Sequence, residues 1–371
     1  MKRAITRALI ALGLAVLTAW PGVAQSMERV PAGEGIPART HGPARVFILH
    51  SFSEDDLWVR QVDAGIMEAL AEGGYSLEDG TLELGEYWMN AKYYTSRDYM
   101  VNIAAAATRA IEDFEPNIVI VADDQAVRWV VAKWYGDPNL PFVFTGLSTP
   151  PEEIRGLSDR TNVTGVMQTP FFARTLDWVH YVLPQAQRIV FLSDASHKQE
   201  QLEADIRDAL AEHRQHHAHN DSPLETQALT VETFADWQAQ VLAANKNADA
   251  LVAVSYLTLV DEAGGKVRSA EVIHWTVENS EIPVIGMAEF AVIEGSLGGM
   301  VVAGDEQGRL AGQLAVRVLE GDAPADIDVV VPRRGKLVLN TEAIQRWHVD
   351  VPISLLQIST LYGPDGQIVN K

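Results

Sequence analysis

The stretch "RVFILHSFSEDDLW", residues 45–58, runs from four consecutive apolar residues (Val46 to Leu49) through His50, Ser51 and Phe52 into three acids and then Trp58. Apolar side chains at successive rather than alternate positions predict a strand buried on both faces, as in a parallel sheet covered by helices. The change to hydroxyl, carboxylate and indole marks the strand's carboxyl end, the edge where open parallel sheets place their ligands. Immediately afterwards Val59, Val62, Ile66 and Leu70 recur at three- and four-residue steps, which predicts a helix.

The same alternation continues outward. "TLELGEYW" (81–88), "NIVIVADD" (117–124) and "PFVFTGL" (141–147) read as strands separated by amphipathic stretches, and they make a first α/β unit. "RIVFLSD" (188–194), "ETQALTVETF", "ADALVAVSY" (248–256) and "IPVIGMAEF" (282–290) form a second series of the same plan. "TGVMQTPFFARTLDWVHYVL" and "GMVVAGDEQGRLAGQLAVRVL" each combine a short strand, a polar turn and an amphipathic helix. Such segments are expected where a chain crosses between two pseudo-symmetric lobes. The expected division is 44–167 plus 300–322 for an N-terminal lobe and 168–299 plus 323–371 for a C-terminal lobe.

Ahead of residue 44, Lys2, Arg3 and Arg7 precede an apolar run from Ala8 to Trp20, followed by Pro21, Gly22 and Ala24. That order predicts a secretory signal peptide over 1–24, with 25–43 a flexible leader rich in Gly, Pro and charge. The formal charge of the 371-residue chain is -21, and the expected signal peptide carries only positive charge. A strongly acidic chain argues against nucleic acid or anionic lipid as a partner. There is no cysteine, hence neither a disulfide nor a thiol near the cleavage site to carry a lipid anchor. The expectation is a freely soluble, monomeric periplasmic protein.

Strand ends supply the candidate ligand-binding residues. In the first unit they are Ser51, Phe52 and Trp58, then Asp124 and Gln125 beside Asp123, then Thr145 and Gly146. In the second they are Asp194, Tyr256 and Glu289, and at the crossings Gln168 and Asp305. Acids and hydroxyls at such turns also serve as helix caps, and acids such as Glu54, Asp55 and Asp56 suit a helix N-terminus without any ligand. Together with the aromatics, however, they have the composition of a small-molecule site. A carboxylate-rich cleft lined by Phe52, Trp58 and Tyr256 suits an amino group on an apolar or aromatic body.

No nucleophile elbow, P-loop or zinc-protease motif occurs, so no catalytic residue and no cofactor is assigned. An exported hydrolase with paired carboxylates is the weaker alternative. "HRQHHAHND" (213–221) places His213 and His217 at i and i+4, beside His216 and His219. Imidazoles also suit a helix carboxyl terminus, so metal binding there stays open and none is assigned.

Two blocks, "LPFVFTGLSTPPEEIRGLSDRTNVTGV" and "GGMVVAGDEQGRLAGQLAVRVLEGDAPADIDVVVPRRGKLVLNTEAIQRWHVDVP", resemble the ABC-transporter substrate-binding proteins of the tryptophan/tyrosine-binding type. The resemblance implies a type I periplasmic binding fold: two Rossmann-like lobes with parallel sheets, joined by a three-crossing hinge and closing on a small ligand. It implies an ABC permease of the inner membrane as partner. "HSFSEDDLW" with "VADDQAV" also resembles members found beside sensor kinases, so ligand sensing for a membrane histidine kinase is the alternative. By position Ser51, Trp58, Asp124, Gln125, Thr145, Gly146 and Asp305 match cleft positions of that family. Relatives commonly carry glycine and small hydroxyls where this chain has Asp123 and Asp124.

Overall fold

The computed structural model describes residues 42–154, 157, 161–217, 224–332 and 335–369. The expected signal peptide and most of the expected leader lie outside them. In the first lobe β1 (Ala44–His50) leads to α1 (Leu57–Glu72), β2 (Leu82–Trp88), α2 (Arg97–Phe114), β3 (Ile118–Ala122), α3 (Asp123–Trp129), β4 (Phe142–Leu147) and β5 (Val163–Met167). The strands form one parallel sheet in the order β2-β1-β3-β4-β5.

The unbroken apolar run of β1 is explained by that position. Phe47 and Leu49 enter a core under α2 and α3, whereas Val46 and Ile48 enter a second core under α1. Both faces are covered along Val46 to Leu49, so each of these four positions is apolar. His50, Ala122 and Thr145 are register neighbours across β1, β3 and β4. Ser51, Asp123 and Gly146 therefore leave the sheet side by side.

The second lobe repeats the plan with α4 (Phe172–Val182), β6 (Arg188–Asp194), α5 (Gln199–His216), β7 (Glu225–Val231), α6 (Phe234–Asn247), β8 (Ala250–Ser255), α7 (Ser269–Asn279), β9 (Val284–Gly286) and α8 (Glu289–Ile293). Its sheet is parallel, ordered β7-β6-β8-β9. The apolar run 282–290 divides into a three-residue strand and a helix, because Gly286 ends the pairing and Glu289 opens α8.

Next come β10 (Gly298–Val301), α9 (Gly304–Leu319), β11 (Lys336–Asn340), α10 (Thr341–Arg346), α11 (Ile353–Ile358) and β12 (Thr360–Tyr362). β10 pairs antiparallel with β11, and β11 parallel with β12. This small mixed sheet departs from the all-parallel expectation; its first two strands are separated in sequence by an excursion to the other lobe. That excursion is α9, which packs on α1.

Gly304, Gly308 and Gly312 stand four residues apart on one face of α9. A Cβ at Gly308 would lie 1.9 Å from the Val62 carbonyl oxygen, and one at Gly65 of α1 would lie 2.0 Å from that of Asp305. The two helix backbones are thus closer than side chains allow, which is why glycine occupies the seam. After α9 the chain stays beside β5: the Thr164 hydroxyl donates to the Ile327 carbonyl (2.9 Å) and Val330 N–H to that of Gly165 (2.9 Å). The lobes are linked between β5 and α4, between β10 and α9, and between Val330 and β11.

Candidate functional site

Asp56 caps α1 by accepting from Trp58 N–H at 3.0 Å, and its other oxygen holds the Lys92 ammonium at 2.7 Å. The cap sets the first turn of α1 so that the Trp58 indole points inward. That ring is buried, and its Nε1 donates to Asp123 Oδ1 at 3.0 Å. Asp123 has φ 68°, a left-handed conformation that non-glycine residues rarely hold. Gly146, at the end of β4, also has positive φ (68°), and a Cβ there would sit 2.7 Å from Asp123 Oδ1 and 3.3 Å from the indole. Trp58, Asp123 and Gly146 thus form one tightly packed floor.

Asp123 Oδ2 is buried and finds no hydrogen-bond donor among the described residues. Burial pushes this carboxyl well above the usual range; the Trp58 hydrogen bond opposes the shift, and the charges of Asp124 and Asp56 add to it. Across the cleft, Tyr256 packs edge-on against Trp237 and Phe290, with its hydroxyl buried and without a partner among the described residues. Glu294, just past α8, also has a buried carboxylate oxygen without a described partner, and its pKa is pushed up to about 7 by burial, against the pull of Lys92.

Lys92 joins the two walls. Its ammonium lies 5.7 Å from the centre of the Phe52 ring in the first lobe and 5.9 Å from that of Phe290 in the second. The Lys266 ammonium donates to the Lys92 backbone carbonyl, and burial followed by the nearby Lys92 charge lowers the Lys266 pKa. Gln61 of α1 donates to Glu289 Oε2 at 2.7 Å, a second contact between the lobes. Around Lys92 the two lobes thus bring together the Phe52 and Phe290 rings and a second lysine, and Asp123, Tyr256 and Glu294 each keep a buried oxygen without a described partner.

The sequence candidates fall into groups. Trp58 and Gly146 pack on Asp123, Phe52 lies beside Lys92, and Tyr256 packs on Phe290. The Ser51 hydroxyl is used internally: it donates to the Ala122 carbonyl (2.7 Å) and accepts from Ala126 N–H (2.9 Å), bracing β1 to the start of α3. Asp124 accepts from Ser148 N–H and Thr149 N–H (3.0 and 3.1 Å), and Gln125 accepts from Trp129 Nε1 (3.2 Å).

Thr145 donates to the Gln307 carbonyl (3.1 Å), while Gly146 N–H donates to the Gln307 side-chain oxygen (3.3 Å). Gln168 N–H donates to the Leu147 carbonyl at the first crossing. Asp194 accepts from Ser196 N–H (3.1 Å), Ser255 Oγ (3.2 Å) and Thr258 N–H (2.7 Å), organising the loops of the second lobe. Glu289 accepts from the Tyr362 hydroxyl and from Lys336 (both 2.9 Å), and Lys336 also reaches Asp305 at 3.4 Å.

Lys92, Lys266 and Glu294 are absent from the strand-end candidates because they lie in loops without periodicity. Asp123 is there but ranks behind Asp124, since only the backbone conformation shows which of two adjacent acids turns inward. A depression of about 590 Å³ bounded by His197, Thr230, Glu232 and Asp236 opens on the second lobe alone. It gathers no group from the first.

A family model described as ABC transporter substrate binding protein matches residues 48–361. The tyrosine-binding protein of Clostridioides difficile (strain R20291) is 20% identical over 284 residues, 76% of this chain and 74% of that protein. The ABC domain from Streptococcus pneumonia solved in complex with L-Trp has a TM-score of 0.62 at 18% identity, covering 86% of this chain and 99% of that one. A ligand-free, open substrate-binding protein with adhesive properties from Clostridium difficile gives 0.62 at 14%, with the same coverage. At such identities the structural likeness establishes the fold, the two-lobed α/β architecture of type I periplasmic binding proteins.

Proposed function

The chain belongs to the family of ABC transporter substrate-binding proteins, which are binding proteins and not enzymes, and on that premise we propose that it is the periplasmic receptor of an importer, delivering an amino acid or related amine with an aromatic body to a membrane permease. Asp123 carries this reading. A buried carboxylate with one oxygen tied to Trp58 and the other unpaired is costly unless a cation completes it. A ligand ammonium would complete it, and Glu294 and the Tyr256 hydroxyl offer acceptors on the opposite wall.

Trp58, Phe52, Phe290 and Tyr256 supply faces for an apolar or aromatic body, and Lys92 and Lys266 supply charge for a carboxylate. The names of the relatives, tyrosine-binding and L-Trp-bound, favour the same ligand class. The basic, apolar and small-residue order of residues 1–24 supports export. Titration calorimetry of the secreted form with aromatic amino acids, their amines and their N-acetyl derivatives tests the proposal. The free amino group is expected to be essential. Binding of N-acetyl derivatives as tight as that of the parents, or binding by none of the series, rejects it.

A further inference from the structure

Away from the cleft, the carboxyl-terminal ends of α4 and α5 meet at the far end of the second lobe. Asp177 and His180 of α4, three residues apart, face His213 and His217, four residues apart at the end of α5. Asp177 Oδ1 lies 2.7 Å from His213 Nδ1 and 3.2 Å from His217 Nε2. The ring centres of His213 and His217 are 4.5 Å apart, and that of His180 is 4.8 Å from His217 and 5.4 Å from His213. One ligand atom each from Asp177, His213 and His217 falls within 4.8 Å of the others.

We propose that Asp177, His213 and His217, with His180 as the fourth ligand, form a binding site for a divalent transition metal, with Zn²⁺ the best fit. Three imidazoles and one carboxylate are the borderline donors that zinc takes tetrahedrally, at about 2.0–2.2 Å from the metal. Ligand atoms around such an ion stand roughly 3.3 Å apart, so Asp177 Oδ1 already stands near the required spacing from His213 and His217, and the His180 ring must move in to join the three. A second group, His50, Asp63 and Glu86, is less suited, with one nitrogen donor against two carboxylates. In a chain without cysteine, the metal would cross-link two helices as no disulfide can.

The test is zinc titration of the tag-free, EDTA-stripped protein by calorimetry, with Co²⁺ absorption as a second reading. One ion per chain is expected, with tetrahedral d–d bands. Asp177→Asn and His217→Ala should each weaken binding by about tenfold or more, and His274→Ala, at an exposed position of α7, should leave it unchanged. Absence of stoichiometric binding, an octahedral cobalt spectrum in the wild type, or affinity unaltered in both ligand variants overturns the proposal. The cobalt spectrum of the wild type decides the matter even if a variant fails to fold.

Discussion

Asp123 and Asp194 are both buried acids at a strand's carboxyl edge, one in each lobe, yet their surroundings differ. Both oxygens of Asp194 receive donors from its own lobe, Ser196 N–H on one and Ser255 Oγ and Thr258 N–H on the other. Asp123 receives one, on a strained backbone, and leaves Oδ2 without a described partner. A satisfied buried acid holds loops together; an incompletely satisfied one stores a cost that a ligand can relieve.

Substitution separates the two roles. Asp123→Asn should cost about 3 kcal/mol of ligand affinity while leaving the unliganded protein as stable as wild type or more so, since an incompletely satisfied, desolvated carboxyl is replaced by a neutral amide. Calorimetry and urea titration read the two quantities, and unchanged affinity would erase the distinction. Asp194→Ala should do the reverse, lowering unfolding free energy by roughly 2–3 kcal/mol through loss of the hydrogen bonds that Ser196 N–H, Ser255 Oγ and Thr258 N–H make to a buried carboxylate. A stable variant with weakened binding would instead make Asp194 a ligand contact.

Gly146→Ala strains a positive φ and crowds Asp123 Oδ1 at 2.7 Å. It should cost about 1–2 kcal/mol in stability and weaken binding as well; an effect on neither would uncouple the floor from Asp123. A further effect is on pH dependence. Glu294 titrates at about 7 when folded, against 4.5 for an unperturbed glutamate. Between these values the folded state holds the extra proton, so stability falls as pH rises through that window and levels off above it. The slope is at most about 1.4 kcal/mol per pH unit, and Glu294→Gln should flatten it in urea titrations across the window.

The fold was legible because helices on both faces of each sheet force continuous apolar runs, and β1, β4 and β6 stand close to where their runs predict. The mixed sheet of β10, β11 and β12 was not, since its pairing joins segments whose order along the chain is interrupted by α9. The site was legible as an edge of the sheet and less so as a set of atoms. Ser51 carries the right chemistry at the right place, but its hydroxyl closes the backbone between β1 and α3. Lys92 reaches both walls from a loop that has no pattern to read.

The glycine seam between α1 and α9 also bears on how the chain matures. Residues 73–303 separate the two helices, so the part of the cover for Val62, Ile66 and Leu70 that α9 supplies does not exist until almost the whole chain has been made. The second lobe's parallel sheet, drawn from one continuous segment, has no such dependence. Synthesis from the N-terminus therefore leaves the first lobe incomplete for longer, with part of an apolar helix face open to chaperones until residue 319 arrives.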